Sequence, residues 1–233
     1  MRQEITFRAL SLPPFLIRFQ LNSIILNQNF FVMKKLLFLI PVLLSLSFSL
    51  KDPLSKKERD FATKFLTDTK NGVVDAVKGL SEAQLKYKPA PDKWSVEECV
   101  KHIAVTEQAL WQMTDGVLKQ PANPTMRDSI KATDDQLIMK IEDRTEKVKT
   151  YDPLKPENTP YKSTSDALES FQANRAKLID YVKTTNDDLR NHVASLPLGK
   201  FDCYQMILFM GGHSNRHTQQ IEEVKADVNF PKK

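Results

Sequence analysis

His213-Ser214-Asn215-Arg216-His217 sets two imidazoles four residues apart. On a helix, positions i and i+4 share a face, so both rings can reach one divalent ion. The pattern is not the zinc-protease HExxH, because Ser214 stands where that motif has Glu, and any general base must come from elsewhere. Alone the spacing is a weak signal, since it also arises by chance. Two features strengthen it. The pair is in helical register with Met206, Met210, Gln220 and Val224, so its face should point into a core. Gly211-Gly212 precede it in mid-helix, where each Gly costs roughly 1 kcal/mol against Ala. Such a pair is best tolerated where a neighbouring helix or a ligand comes close; a local kink is the competing reading. His102, beside Ile103 on the edge of another apolar stripe, is the natural third ligand, although a lone His there also fits a core histidine.

Three His around an open coordination position lower the pKa of bound water toward about 7. Glu98 and Thr106 lie four residues either side of His102 and could hydrogen-bond its second nitrogen; Glu98 also fits a helix cap. Cys99 is either a fourth, soft ligand or a buried small residue, and Gln220 could face a substrate or solvent. His192 reads as structural or solvated, and Arg216 as a surface ion-pair partner of Glu223 or Asp227.

Helices must position these groups. Apolar residues recur at helical spacing from Lys56 to Leu80, with Ser55 and Glu58 as a capping box. Ser81–Leu85 reads as a short helical turn, and Pro89 and Pro91 force an extended loop. Ser95 and Glu98 cap the helix that carries His102, with Trp94 before the cap as a staple or a plug of the bundle end. A more polar helix follows from about Asp134 to Lys149, another opens at Ser165, Asn186–Arg190 suggests a brief helical turn, and the last runs from about Asp202 to Asp227. No strand or repeat stands out, so the fold class is all-α.

The N-terminus reads as an address. Met33-Lys34-Lys35, the apolar run Leu36–Leu44 and Ser47-Phe48-Ser49 make a secretory signal over 33–49. The run falls short of the roughly 20 apolar residues that span a bilayer. Residues 1–32, which end at a second plausible start, read as a spurious upstream extension, leaving 50–233 as the domain. Residues 1–49 carry net +4 of the whole chain's +5. The remainder is nearly neutral and has no electrostatic footprint for nucleic acid. Cys99 and Cys203 could pair in an oxidising compartment, but two buried hydrophobes is the simpler expectation.

Trp94-Ser95-Val96-Glu97-Glu98-Cys99-Val100-Lys101-His102-Ile103, together with His213-x-x-x-His217-x-x-Gln220-Ile221, resembles the DinB/YfiT-like superfamily. The resemblance covers roughly 58–230, including Asp188-Leu189-Arg190-Asn191-His192 and Glu222-Glu223-Val224-Lys225-Ala226. It implies an up-down four-helix bundle with extra short helices. It also implies a three-His site on His102, His213 and His217 for a divalent transition metal, zinc or nickel, open to water. The expected function is a metal-dependent hydrolase or group transferase acting on a small molecule. The alternatives are a non-catalytic, stress-related bundle with a structural ion, and a thiol-dependent transferase if the chain is not exported. Thiol cofactors are cytoplasmic, so the export signal favours water as the nucleophile and a periplasmic location. No nucleic acid, and no membrane after signal cleavage, is expected as a partner; a homodimer is left open.

Overall fold

The computed structural model describes residues 54–232. The expected extension, 1–32, and signal, 33–49, lie outside the described residues. Four long helices carry the fold: α1 (Lys56–Val77), α3 (Val96–Leu118), α5 (Thr164–Thr184) and α6 (Cys203–Lys225). Between them lie two short helices, α2 (Glu82–Lys86) and α4 (Asp134–Glu142), and three 3-10 turns. The caps fall where the side chains ask for them. Ser55 with Glu58, Ser81 with Gln84, Ser95 with Glu98 and Thr133 with Gln136 each form a reciprocal capping box. Each box satisfies two orphan N–H donors at a helix start.

The helices do not alternate up and down around the bundle. Going along α1, Glu58, Phe65, Gly72 and Ala76 meet Tyr204, Gly211, Thr218 and Lys225 in that order, so α1 and α6 run parallel. Glu97, Glu107 and Trp111 of α3 meet Thr164, Arg175 and Tyr181 of α5, a second parallel pair. Between the pairs the order reverses: Arg59 meets Val182 while Leu66 meets Arg175, and His102 meets His213 while Thr114 meets Cys203. The simple up-down expectation is therefore corrected to up-down-down-up. A short connection forces antiparallel neighbours, whereas α3 and α5 are joined by the long crossover through α4, which returns the chain to the starting end.

Three further expectations change. The polar helix α4 stops at Glu142 rather than near Lys149, and Asn186–Arg190 is irregular rather than helical. A short antiparallel hairpin, β1 (Val193–Leu196) with β2 (Gly199–Asp202), feeds α6, where no strand was expected. Its turn closes on Gly199 at φ 137°, a conformation that side chains rarely allow.

The core divides into two main apolar clusters. One gathers Leu54, Leu66, Leu178, Tyr204 and Ile207; the other gathers Val73, Val100, Ile103, Phe171 and Ile221. Where they meet lies the fully buried Arg175 of α5. Its guanidinium donates to both Glu107 carboxylate oxygens at 2.7 and 2.5 Å, and to Leu66 O, Thr69 Oγ1, Met210 O and Ser214 Oγ at 2.8–3.1 Å. One side chain thus ties all four long helices together. Its bonds to Met210 and Ser214 fix the turn of α6 that carries His213.

Candidate metal centre

His102 projects from the second turn of α3, whose start is fixed by the Ser95–Glu98 box. His213 and His217 project from the middle of α6, one turn apart. Because α3 and α6 lie side by side and antiparallel, the three rings meet. Each offers a ligand atom, and these atoms all lie within 4.8 Å of one another. His102 Nε2 is 3.1 Å from His213 Nε2. Two nitrogens ligating one tetrahedral ion stand roughly 3.3 Å apart, so this separation fits an ion with little adjustment.

Backbone and side-chain partners set the ring orientations. His102 Nδ1 donates to Leu154 O at 2.7 Å, with Thr106 Oγ1 3.3 Å from the same nitrogen. His217 Nδ1 donates to Gln220 Oε1 at 2.9 Å. Both bonds place the proton on Nδ1 and turn the Nε2 lone pair inward, the usual outer support of a ligating His. Gln220 Oε1 also accepts from Arg144 at 3.4 Å, and Arg144 forks onto both oxygens of Glu223. The orientation of His217 is thereby anchored in the crossover segment.

Burial pushes all three imidazoles below the ordinary histidine range. For His213 and His217 the other imidazoles of the cluster add to the effect, and both fall well below it. Neutral rings are the ligating form. His102 and His217 are only 4 % and 7 % exposed, whereas His213 is half-buried. Among the described residues no fourth His, Cys, Asp or Glu joins the cluster. An ion held there would keep a position free for water or substrate.

The glycine pair has a structural reason. A Cβ on Gly211 would sit 2.5 Å from the Phe65 ring of α1, and one on Gly212 would sit 3.3 Å from Ile141 of α4. Neighbouring helices make the close approach; no kink is needed, as α6 is unbroken.

The supporting residues sort themselves. Glu98 caps α3 and pairs with Lys88, away from the cluster. Cys99 is buried beside Val100 and Ile103, and Cys203 lies in the other cluster; both are free thiols. Burial raises both thiols, Cys203 to about 12, and neither belongs to the three-His group. His192 is structural, bridging Asp188 O and Gln120 O. Arg216 does not form the expected ion pair. It donates to the carbonyls of Ile141, Asp143 and Glu146, closing the end of α4, while Glu223 is taken by Arg144.

Sequence reasoning missed three contributors. Trp94 walls the site, its ring 4.8 Å from that of His102 and 5.8 Å from that of His217. The Leu154 carbonyl has no side-chain signature at all. Arg175 did have one: it falls on the Phe171–Leu178–Val182 stripe, a charged residue in an apolar register.

A family model of the DinB superfamily matches residues 66–221, a span that includes all three histidines. The chain belongs to the DinB superfamily. A curated relative, the uncharacterized protein YuaE of Bacillus subtilis, is 24 % identical over 153 residues, covering 65 % of this chain and 90 % of YuaE. Among solved structures, YfiT of Bacillus subtilis superposes with a TM-score of 0.52 at 15 % identity, over 76 % of this chain and 91 % of YfiT. That protein is described as a probable metal-dependent hydrolase with an unusual four-helix bundle topology. The likeness shows that the two share a fold.

Proposed function

We propose that this DinB-superfamily chain is a metal-dependent hydrolase or group transferase acting on a small molecule at His102, His213 and His217. The observation that carries the reading is the convergence of three neutral imidazoles with, among the described residues, no fourth protein ligand beside them. The fold shared with YfiT, a probable metal-dependent hydrolase, supports it. The donor set of imidazole nitrogens suits zinc or nickel. When bound, a divalent ion supplies Lewis acidity, polarising a substrate oxygen and acidifying water.

This chain's own residues do the rest. Leu154 O and Gln220 Oε1 keep the His102 and His217 protons on Nδ1, so that both Nε2 atoms face inward. Trp94 lays its ring against one flank of the cluster, beside His102 and His217. A cleft of about 500 Å³ reaches His217, Gln220 and Trp94 from the surface and is large enough for a small organic substrate.

A structural ion stapling α3 to α6 is the competing role, and the packing argues against it. Those helices are already held by buried apolar clusters and by the Arg175–Glu107 pair. The deciding experiment is elemental analysis of untagged protein and of His102→Ala and His217→Ala. About one divalent ion per chain is expected in the wild type and a marked loss in both variants, as three ligands are needed to hold it. An ion-free wild type, or variants that keep the full complement, would overturn the assignment.

A further inference from the structure

Among the described residues, the crossover that joins α4 to α5 gives the His cluster no ligand, yet it touches both helices that do. Its start lies along one face of α6. Arg216 donates to the carbonyls of Ile141, Asp143 and Glu146, and Gln219 Nε2 donates to Glu142 O at 3.2 Å. In return, Arg144 of the crossover reaches Gln220 Oε1 and forks onto Glu223. Positions 216, 219, 220 and 223 recur at three and four, so they make one stripe of the helix running past His217. The far end of the crossover reaches α3, where Leu154 O accepts from His102 Nδ1 at 2.7 Å and Lys162 O accepts from Lys101 at 3.4 Å. The turn that carries Leu154 is held independently of the histidine. Pro153 and Pro156 lie at the starts of two successive 3-10 turns, Asp152–Leu154 and Pro156–Asn158, where the proline ring presets φ. Asp152 O accepts from Lys155 N at 3.1 Å and from Asn158 Nδ2 at 2.7 Å, and the Lys155 ammonium pairs with the Asp152 carboxylate. The carbonyl is thus presented to His102 rather than drawn in by it.

Gln220 Oε1 receives two donors, His217 Nδ1 at 2.9 Å and Arg144 Nη1 at 3.4 Å, so the amide is pinned between a ligand and the crossover. We propose that the crossover is a positioning clasp for the metal centre: Arg144, acting through Gln220, orients His217, the Leu154 turn orients His102, and the order of this segment sets how tightly the three histidines hold an ion. This rests on the metal-dependent reading and deepens it, because it assigns the affinity of that site to residues that are not its ligands. The charge of Arg144 alone would act the other way, since a guanidinium beside a cation site repels the ion. Glu223 lies against that charge and compensates it. Deleting the ion pair as a unit leaves the net charge unchanged, so the effect that remains is one of orientation. Outer partners of ligating histidines are worth roughly 10–100-fold in metal affinity. Arg144 acts at one remove, which places it at the lower end of that range. By reciprocity, an ion that favours the clasped arrangement must steady the clasp in turn.

The test measures zinc affinity, by competition with a chromophoric chelator, for the wild-type chain, for Arg144→Met, for Arg144→Met/Glu223→Gln and for Pro153→Gly. The charge-neutral double variant should bind zinc roughly tenfold more weakly than wild type. Pro153→Gly, which frees the turn at the other end, should weaken zinc severalfold. The chelated proteins should all melt within a few degrees of one another, because the ion pair is partly exposed and Pro153 is exposed. A loss of zinc affinity then cannot come from a loosened bundle. Hydrogen exchange across 143–158 should slow in wild type when zinc is added, and slow less in the double variant. A crossover that only links α4 to α5 predicts wild-type zinc affinity in every variant and exchange indifferent to zinc. A purely electrostatic role predicts tighter zinc in Arg144→Met and wild-type affinity in the double variant. Either result would overturn the clasp and leave the three-His site standing. A wild type that takes up no zinc or other divalent ion would overturn the metal-dependent reading, and the clasp with it.

Discussion

Replacing Arg175 with Met tests how far the bundle depends on its buried ion pair. Arg175 is wholly enclosed and Glu107 nearly so. The substitution keeps most of the side-chain volume but removes six hydrogen bonds. It leaves the Glu107 carboxylate buried without its counter-charge, the case in which breaking a pair costs about 3–5 kcal/mol. For a domain of this size that corresponds to a fall in melting temperature of roughly 6–20 °C. Part of the loss should return in acid. Burial already pushes the Glu107 carboxyl upward while Arg175 pulls it back, so removing Arg175 raises it further. Between its unfolded value near 4.5 and the raised folded value, the folded variant holds more protons than the unfolded chain. Stability must therefore rise as pH falls through that window. The double variant Arg175→Met/Glu107→Leu should recover most of the loss, because an apolar pair of similar volume is often as stable as the ion pair. Urea melts of wild type, Arg175→Met, Glu107→Leu and the double variant at pH 7 and pH 5 give the coupling energy. A single variant within about 1 kcal/mol of wild type, or a double variant no better than the single, would refute this account.

Three other outcomes are expected. Gly211→Ala should cost about 1–2 kcal/mol, overpacking against the Phe65 ring outweighing the gain in helix propensity, and Phe65→Leu should relieve it. Gly72→Ala, whose Cβ would meet only Thr218 at 3.7 Å, should instead stabilise by about 0.5–1 kcal/mol; thermal melts compare the three. Chelation of the purified protein should lower its melting temperature by only a few degrees, since apolar burial and the Arg175 pair supply the fold; a collapsed transition would mean a structural ion.

Local rules made much of this molecule readable. Caps at Ser55 and Ser95 depend on side chains reaching backbone donors three residues on, and such signals survive without tertiary context. The His213–His217 pair and the need for close approach at Gly211 were legible for the same reason. What was not legible is non-local. Whether α3 and α5 run parallel is decided by the path of the crossover, and no residue within either helix encodes it. The hairpin strands are four residues each, too short for an alternating pattern to emerge. Arg216 faces carbonyls in and just after α4, 70 or more residues away, so local charge pairing misjudged it.

The parallel pairing of α1 with α6 has a consequence for how the chain reaches its native state. Ala76 and Lys225, which touch, are 149 residues apart in sequence. A bundle of successive antiparallel hairpins can zip up locally, but here the first helix waits for the last. Such long-range closure raises contact order and slows folding relative to sequential bundles of the same length. Until α6 docks, the channel that it fills between α1 and α3 stands open, and the apolar faces of both helices are exposed to association with other chains. His213 and His217 arrive with that final helix. On the proposed reading, metal capture would be an event of the completed fold, and truncation before His213 should remove the bundle's closing wall and two of the three clustered imidazoles together.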